Sequence, residues 1–246
     1  MRPMDLAVNE TVSFVLAHRS SSRAHILDVG CGTGLIASRL QAYGHHVVAI
    51  DESAEAVQQA RTLGIDAAVA AWPQFEGGPF DVVLFAQSLH HIHPLPEAVM
   101  HAHRLLRPSG LVIVEDFAWT ESDPATVEWF YGVARLLETC QALSPKEDHE
   151  DHFVTGLVRS SDAFALWQRS HDHDLHPAAA MLSTLKAHFH TVAETTVPYL
   201  YRYLCPVLAE NEEGYAIAAQ VLDSERRLAQ VGAITLIGRR FVGKKR

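Results

Sequence analysis

Long hydrophobic runs and paired cysteines are missing from this sequence of 246 residues. No apolar run approaches the roughly 18 residues of a membrane-spanning helix, so no transmembrane segment is predicted. The N-terminus carries acids and no small-residue cleavage site, which predicts neither a signal peptide nor a transit peptide. The cysteines, Cys31, Cys140 and Cys205, are too widely spaced to indicate a disulfide framework or a thiolate metal site. These absences favour a cytoplasmic protein.

Clustered positive charge is also scarce. The formal net charge is -9 at pH 7, and lysine and arginine are dispersed until Arg239-Arg240 and the terminal Lys244-Lys245-Arg246. A phosphate backbone is bound through a broad basic face, which this distribution does not provide. We therefore expect a small-molecule partner rather than nucleic acid or a membrane. The oligomeric state stays open.

Short apolar runs alternate with helical patterns from residue 25 to about residue 116. This alternation is typical of βαβ units and of a parallel sheet that is buried on both faces, so it predicts an α/β fold. Strands are predicted at His25 to Val29, His46 to Ile50, Asp66 to Ala70, Phe80 to Phe85 and Gly110 to Glu115. Helices are predicted near Leu35 to Tyr43, Ser53 to Leu63 and Leu95 to Leu106, and Ser53 is the expected cap of the second helix.

The alternation stops after Glu115, where an aromatic-rich stretch begins. We interpret residues 119–176 as a helical lid inserted into a single domain of residues 1–246. A helix-strand pattern then resumes, with a strand predicted from about Thr191 to Tyr203 and a helix from Val207 to about Leu228. An apolar run, Ala233 to Ile237, precedes the basic tail.

Three alternating glycines end the first predicted strand, in the run DVGCGTG at residues 28–34. Glycine permits positive φ and a close approach of backbone to a ligand, and the following helix presents its N-terminal amides. Asp51 ends the next predicted strand, where a carboxylate can accept both hydrogen bonds of a ribose diol. Dinucleotide binders use G-x-G-x-x-G instead. An NAD-dependent oxidoreductase thus remains an alternative that nicotinamide binding would test.

This run resembles motif I of the class I, Rossmann-like S-adenosylmethionine-dependent methyltransferases, in particular the methyltransferase type 11-like members. The resemblance continues through VVAID at residues 47–51, FDVVLFAQSLHHI at residues 80–92 and LLRPSGLVIVE at residues 105–115. It implies a doubly wound, mostly parallel, seven-stranded sheet, with S-adenosyl-L-methionine as cofactor and S-adenosyl-L-homocysteine as product.

The same resemblance implies a set of cofactor-binding residues. The methionine part of the cofactor would contact Gly30, Cys31, Gly32, Gly34 and Gln87, while Asp28 would order the glycine loop or reach the amino group through water. Asp51 would bind the ribose, and Glu52 would border the adenine or be solvated. The family's acid after the third strand is absent, so Ala71 and Trp72 would hold the adenine by backbone and apolar contacts.

Candidate acceptor residues follow the fourth and fifth predicted strands, because ligands of open α/β sheets bind beyond the carboxyl ends of the strands. His90 and His91 are candidate bases, since imidazole is suited to removing a proton near neutral pH; a structural role is the alternative. Glu115 and Asp116 would orient the substrate or cap the next segment.

Further substrate contacts are expected from His173 or His176, which lie in the run HDHDLH at residues 171–176. Imidazole and carboxylate are good metal ligands, but this spacing matches no recognised site, so no metal is predicted. Tyr199, Tyr201 and Tyr203 alternate along the predicted strand, where they would line an aromatic pocket or form a core face.

Methyl transfer from S-adenosylmethionine to an O, N or C atom of a small molecule is the function these residues favour. Two alternatives keep the cofactor pocket. One is an enzyme that uses bound S-adenosylmethionine in an elimination or rearrangement, and the other is a non-catalytic, cofactor-binding partner subunit. The first predicts a product without S-adenosylhomocysteine, and the second predicts binding without turnover.

Overall fold

The computed structural model describes residues 1–19, 23–143, 153–171 and 174–246. Its strands form a seven-stranded sheet in the order β3-β2-β1-β4-β5-β7-β6. The strands are β1 (His25–Val29), β2 (His46–Asp51), β3 (Asp66–Val69), β4 (Phe80–Ala86), β5 (Leu106–Phe117), β6 (Phe189–Val197) and β7 (Gly238–Lys245).

Helices precede and separate these strands. They are α1 (Pro3–His18), α2 (Leu35–Ala42), α3 (Ala54–Thr62), α4 (Leu95–Leu105), α5 (Pro124–Thr139), α6 (Phe153–Arg159), α7 (Ala163–His171), α8 (Ala178–His188), α9 (Tyr201–Leu204) and α10 (Glu212–Gln230). Two 3₁₀ turns, Leu89–His91 and Trp119–Glu121, follow β4 and β5. In the described part of the chain, no helix is both long enough and apolar enough to cross a membrane.

The centre of the sheet is parallel, as the alternation predicts. β1 pairs with β2 and β4, β2 pairs with β3, and β4 pairs with β5, all in parallel register. The run Val82 to Phe85 in β4 is fully buried, as expected for a strand covered on both faces. The predicted α/β fold class is confirmed. The strand order reverses between β1 and β4, which is where ligands of doubly wound sheets bind.

Local signals explain where the first helices begin and end. Gly34 at φ 79° caps α2, and Gly44 at φ 92° follows its end. The Ser53 hydroxyl accepts the Ala56 N–H at 3.2 Å, which confirms the predicted cap of α3.

The chain divides into two compact units. The sheet unit comprises Val8–Phe117, His176–Thr195 and Arg239–Arg246; the helical unit comprises Met1–Ala7, Ala118–Leu175 and Thr196–Gly238. The helical unit has its own aromatic core, in which the Trp167 ring packs against the rings of Phe153, His171 and Tyr203. Helices α5, α6 and α7 follow β5, and their role as a lid stays a prediction.

The second half of the predicted strand from Thr191 to Tyr203 is wrong. β6 ends at Val197, and Tyr201 begins α9, so Tyr199, Tyr201 and Tyr203 do not alternate along one strand face. The cause is a distant carboxylate. Glu225 in α10 accepts the backbone N–H groups of Tyr199, Leu200 and Tyr201 at 2.7, 3.2 and 3.3 Å. These amides are satisfied by a side chain instead of a neighbouring strand.

The last strand is formed by the basic tail, and the apolar run Ala233 to Ile237 lies before it. Phe241 and Val242 are buried, whereas Arg240 directs its guanidinium to Glu115 Oε1, with Nε at 2.6 Å. β7 can therefore place a basic residue inside the sheet unit, because a buried acid receives it.

Candidate functional site

A glycine turn, residues 30–34, joins β1 to α2. Gly30, Gly32 and Gly34 all have positive φ, at 70°, 52° and 79°. A Cβ at Gly30 would lie 2.6 Å from the Ser88 Cβ, so only glycine fits there without displacing the chain after β4. A Cβ at Gly32 would meet nothing within 4 Å and would project into open space. The turn thus presents bare backbone at the end of β1.

The end of β2 holds this turn in place. The Ile50 carbonyl accepts the N–H groups of Gly30 and Cys31 at 2.9 and 3.0 Å. Asp51 accepts the Gly32 N–H at Oδ2 and the Ser53 N–H at Oδ1, both at 2.9 Å. The carboxylate of Asp51 is therefore fixed beside the glycine turn. Glu52, the next residue, is exposed.

Asp28 lies beneath the glycine turn, on β1, with only 1% of its surface exposed. Among the described residues, neither of its carboxylate oxygens has a hydrogen-bond partner. Burial, and to a smaller extent the nearby charge of Asp51, raises the pKa of the Asp28 carboxyl to about 7. The expected ordering of the loop by this carboxylate has no hydrogen bond to support it. Asp28 is instead a buried acid poised between its two charge states near neutral pH.

Cys31 stays a neutral thiol in this turn. Burial raises the pKa of its thiol to about 12, and the charges of Asp28 and Asp51 act in the same direction.

A cavity of about 490 Å³ opens at the carboxyl ends of β1, β2 and β4. This volume is within the usual range of small-molecule and cofactor sites. Its lining residues are Val29, Gly30, Gly32, Ile50, Asp51, Glu52, Ala70, Trp72, Gln87, Ser88, His91, Ile92 and His93. The structure thus brings together most of the predicted cofactor residues and one predicted base. Ile92 and His93, which follow His91 along the chain, were not singled out in the sequence.

The side of the cavity near β3 is mostly apolar. The Trp72 indole is 5% exposed, donates its Nε1–H to the Ala98 carbonyl at 3.1 Å and packs edge-on against Phe85. Ala70 lines the cavity, whereas Ala71 is exposed and is not among the lining residues. A flat apolar group can bind here without the acid that is absent after β3.

The chain after β4 turns back sharply at Gln87. Its φ is 59°, and its N–H donates to the Glu115 carbonyl at 2.7 Å. The next residue, Ser88, donates its hydroxyl to the Val29 carbonyl at 2.6 Å. These two bonds tie the loop after β4 to the ends of its neighbours β5 and β1, and so bring Gln87 and Ser88 to the cavity.

The two candidate bases occupy different environments on the histidine turn, residues 88–93. His90 is 5% exposed, and its Nδ1 lies 2.7 Å from Oδ1 of Asp116, which is itself 1% exposed. The Asp116 Oδ2 also accepts the His90 N–H at 3.3 Å. His91 is exposed, lines the cavity and has its ring centroid 4.0 Å from that of His90. His91 is therefore positioned to meet a ligand, and the His90–Asp116 pair lies behind it.

His176 also reaches the histidine turn. Its Nε2 lies 2.9 Å from the Ile92 carbonyl oxygen, and its backbone N–H donates to the His90 carbonyl at 2.9 Å. The His176 and His93 ring centroids are 3.9 Å apart. Sequence spacing gave no signal for these contacts, because His176 is 84 residues from Ile92.

Glu115 lies in the protein interior. It is fully buried, and its carboxylate accepts the Thr11 hydroxyl and the Arg240 Nε. It is not among the residues that line the cavity. The expected substrate contact of Glu115 is therefore not supported, since both of its oxygens face α1 and β7.

Two predicted substrate residues remain, and Tyr199 is not among the residues that line the cavity. Tyr199 lies in the helical unit, where its N–H donates to Glu225 and its ring packs near Tyr203. His173 lies outside the described residues. In the described part of the run at residues 171–176, His171 is buried and its Nε2 lies 2.8 Å from the Tyr203 hydroxyl. Within the described ranges, no three or more histidine, cysteine, aspartate or glutamate residues are grouped as a metal site.

Comparison with known proteins identifies the family. A family model described as a methyltransferase domain matches residues 4–157, which is more than half of the chain. The fold, the glycine turn and this match define the class: a Rossmann-like α/β protein with a cofactor cavity where the strand order reverses. The chain belongs to the methyltransferase-domain family, within the class I S-adenosylmethionine-dependent methyltransferases.

Two curated relatives share one name. A ubiquinone biosynthesis O-methyltransferase from Xylella fastidiosa is 32% identical over 113 residues, which cover 42% of this chain and 46% of that protein. One from Paraburkholderia xenovorans is 25% identical over 199 residues, covering 77% of this chain and 82% of the relative. The chain thus spans less than half the length of the first relative and most of the second.

Among solved structures, the N-methyltransferase NodS from Bradyrhizobium japonicum, in complex with S-adenosyl-L-homocysteine, has a TM-score of 0.55 to this chain. The identity is 12%, and the match covers 99% of this chain and 88% of that one. At this identity the likeness is one of fold.

Proposed function

We propose that this chain transfers the methyl group of S-adenosyl-L-methionine to a small-molecule acceptor and releases S-adenosyl-L-homocysteine. One observation carries the proposal: a single cavity of about 490 Å³ has the open glycine turn and Asp51 at one end and His91 at the other. The first end suits the cofactor, and the second offers a proton acceptor to the molecule that is methylated.

The residues at the glycine-turn end fit the cofactor. Gly32 faces open space, so a ligand can approach its backbone without meeting a side chain. Each oxygen of Asp51 accepts one backbone N–H, and a carboxylate oxygen has a second lone pair, so the pair can still accept two ribose hydroxyls. Asp28 supplies a buried carboxyl with no hydrogen-bond partner among the described residues, reachable through water by the cofactor's amino group.

The other cofactor contacts follow from the lining of the cavity. The adenine would pack against Ile50, Ala70 and Trp72, with Glu52 at its border, while Gln87 would lie by the methionine part. When bound, the cofactor supplies an electrophilic methyl carbon on a sulfonium. The protein's own contribution is to hold the acceptor in line with that carbon and to exclude competing geometries.

His91 would take the proton from an acceptor hydroxyl or amine as the new bond forms. It is the better placed of the two candidate bases, because it lines the cavity and His90 is buried. Asp116 would hold the His90 ring, which in turn packs against His91. The histidine turn would therefore provide both a base, His91, and a neighbouring ring, His90, that packs against it.

A small hydroxylated molecule is the acceptor class that we rank first. The net charge of -9 disfavours a polyanionic substrate. The curated relatives are named as O-methyltransferases, and a hydroxyl is a nucleophile that gains from a neighbouring imidazole. Amines and carbon acids form the second rank.

Two further elements of the proposal concern the whole chain. A cytoplasmic location accords with three cysteines that are all free thiols. The insertion of α5 to α7 would act as a lid on the acceptor. Limited proteolysis tests the lid, since residues 119–176 should be cleaved more slowly once cofactor and acceptor are both present.

The decisive experiment is incubation with S-adenosylmethionine and panels of phenols, other alcohols, amines and carbon acids, with S-adenosylhomocysteine followed by mass spectrometry. Release with one panel supports methyl transfer and names the acceptor class. Conversion of an acceptor without release would favour an elimination or rearrangement, and tight cofactor binding without any conversion would favour a binding subunit.

A further inference from the structure

The turn that presents His91 is a short 3₁₀ segment, a conformation whose hydrogen-bond geometry is in general poorer than that of an α-helix. Its internal bonds are those from His91 N–H to the Ser88 carbonyl and from Ile92 N–H to the Leu89 carbonyl, both at 3.1 Å. A side chain that must remove a proton needs a fixed orientation, so other contacts have to hold this turn.

His176 supplies two such contacts. Its backbone N–H donates to the His90 carbonyl, and its Nε2 donates to the Ile92 carbonyl, each at 2.9 Å. Because a carbonyl oxygen only accepts, Nε2 must carry a proton. The two accepting carbonyls belong to the residues immediately before and after His91. One residue thus clamps the chain on both sides of the candidate base.

The His176 ring has a second contact within the sheet unit. Its centroid lies 3.9 Å from that of His93, which lines the cavity. His176 also stands at the point where the chain returns to the sheet unit, just before Pro177 and α8, and α8 contacts the histidine turn. His176 therefore directly precedes a helix segment that itself packs on the histidine turn.

We propose that His176 is a positioning residue for methyl transfer: it fixes His91 toward the cavity by clamping the carbonyl groups of His90 and Ile92. This inference rests on the proposed function. It replaces the substrate contact expected for His176 with an action through His91. A displacement of about 1 Å in a reacting group can lower a rate by about a hundredfold.

Two substitutions distinguish the hydrogen bond from His176 to the Ile92 carbonyl from simple packing of the ring. His176→Phe keeps a ring against His93 but cannot donate to Ile92, whereas His176→Gln retains an N–H donor. We expect His176→Phe to lower kcat about tenfold to a hundredfold while leaving the Kd for S-adenosylmethionine and the melting temperature unchanged. His176→Gln should recover most of kcat.

A matched control is His25→Phe. His25 also places a ring nitrogen near a backbone carbonyl, with Nδ1 at 3.3 Å from Pro79 O, but it lies at the amino end of β1, away from the cavity. This variant should keep the wild-type kcat.

Hydrogen exchange of residues 88–93 tests the clamp without any turnover. Mass spectrometry should show faster exchange in this turn for His176→Phe and wild-type exchange for His176→Gln. Unchanged exchange and unchanged kcat in His176→Phe would overturn the inference. Equal losses of kcat in both variants would also overturn it, in favour of a direct substrate contact. If exchange changes as expected but the wild type forms no S-adenosylhomocysteine, the clamp stands and the methyl-transfer proposal fails.

Discussion

The two ends of the cavity differ in how much of their surface is formed by backbone and how much by side chains. At the glycine-turn end, bare backbone forms part of the surface, with Gly30 and Gly32 at positive φ and their N–H groups bonded to Ile50 and Asp51. At the histidine-turn end, side chains form the surface, with His91 and His93 facing the cavity. A backbone surface changes only when the chain itself moves, whereas a side-chain surface changes with one substitution. Affinity for the cofactor and turnover of the acceptor should therefore be separable by mutation.

The largest expected effect is at the histidine-turn end. His91→Phe keeps a planar ring but removes the proton acceptor, so kcat should fall about 10²- to 10⁴-fold with an unchanged Kd for S-adenosylmethionine. Steady-state kinetics and calorimetry measure the two quantities. His93→Phe is the matched control, since His93 also lines the cavity, and it should have a much smaller effect on kcat. A normal kcat in His91→Phe would show that His91 is not the base.

The next largest effect should be on the stability of the fold and not on the acceptor end of the cavity. Arg240→Met leaves the carboxylate of Glu115 buried without its cation, so the free energy of unfolding should fall by about 3 to 5 kcal/mol. Lys244→Met, at an exposed position of the same strand, is the control and should be nearly neutral. Urea denaturation measures both. Unchanged stability combined with a raised KM for the acceptor would return Glu115 to the substrate site.

A smaller effect tests the glycine-turn end. Asp51→Ala removes the carboxylate beside Gly32, and cofactor binding should weaken by about 2 to 3 kcal/mol, as expected for loss of charge-assisted hydrogen bonds. Glu52→Ala removes the same charge from the exposed neighbour and should weaken binding by much less. Calorimetry with S-adenosylmethionine distinguishes them. Equal losses would indicate that net charge, and not the position of Asp51, governs cofactor affinity.

The glycine-turn end could be predicted from the sequence because its signals are local. The alternating glycines, the acid at the end of β2 and the apolar strands are all fixed by short spacings, and β1 lies at His25–Val29 as predicted. β2 and β4 extend one residue beyond their predicted ends, to Asp51 and Ala86. Where the chain geometry is set by neighbours in sequence, pattern alone was sufficient.

What could not be predicted depends on partners far along the chain. The segment after β6 leaves the sheet because Glu225 binds its amides, and the basic tail forms β7, where Arg240 pairs with the buried Glu115. The pattern HH at residues 90–91 marked the histidine turn, but only burial separates His90 beside Asp116 from His91 in the cavity. The contacts of His176 with the His90 and Ile92 carbonyls join residues that are far apart in the sequence, so no local pattern predicts them.

The smallest expected effect concerns Asp28, a buried acid beneath the glycine turn. Because burial raises its folded pKa from 3.8 to about 7, the folded state holds a proton that the unfolded state releases. This contribution to stability is complete below about pH 4 and is lost as pH rises through 7. Between pH 6 and pH 8, the free energy of unfolding of the cofactor-free wild type should fall by about 1 kcal/mol more than that of Asp28→Asn.

Urea denaturation of both proteins at pH 6 and pH 8 measures this difference. Glu225, whose pKa burial also raises to about 7, is present in both proteins and cancels. Equal pH dependence would mean that Asp28 is not the buried group that titrates. Saturating S-adenosylmethionine should reduce the difference, because its positive charges favour the ionised carboxylate. If the difference persists, Asp28 is beyond the electrostatic reach of the cofactor, and recognition at this end is left to the backbone and Asp51.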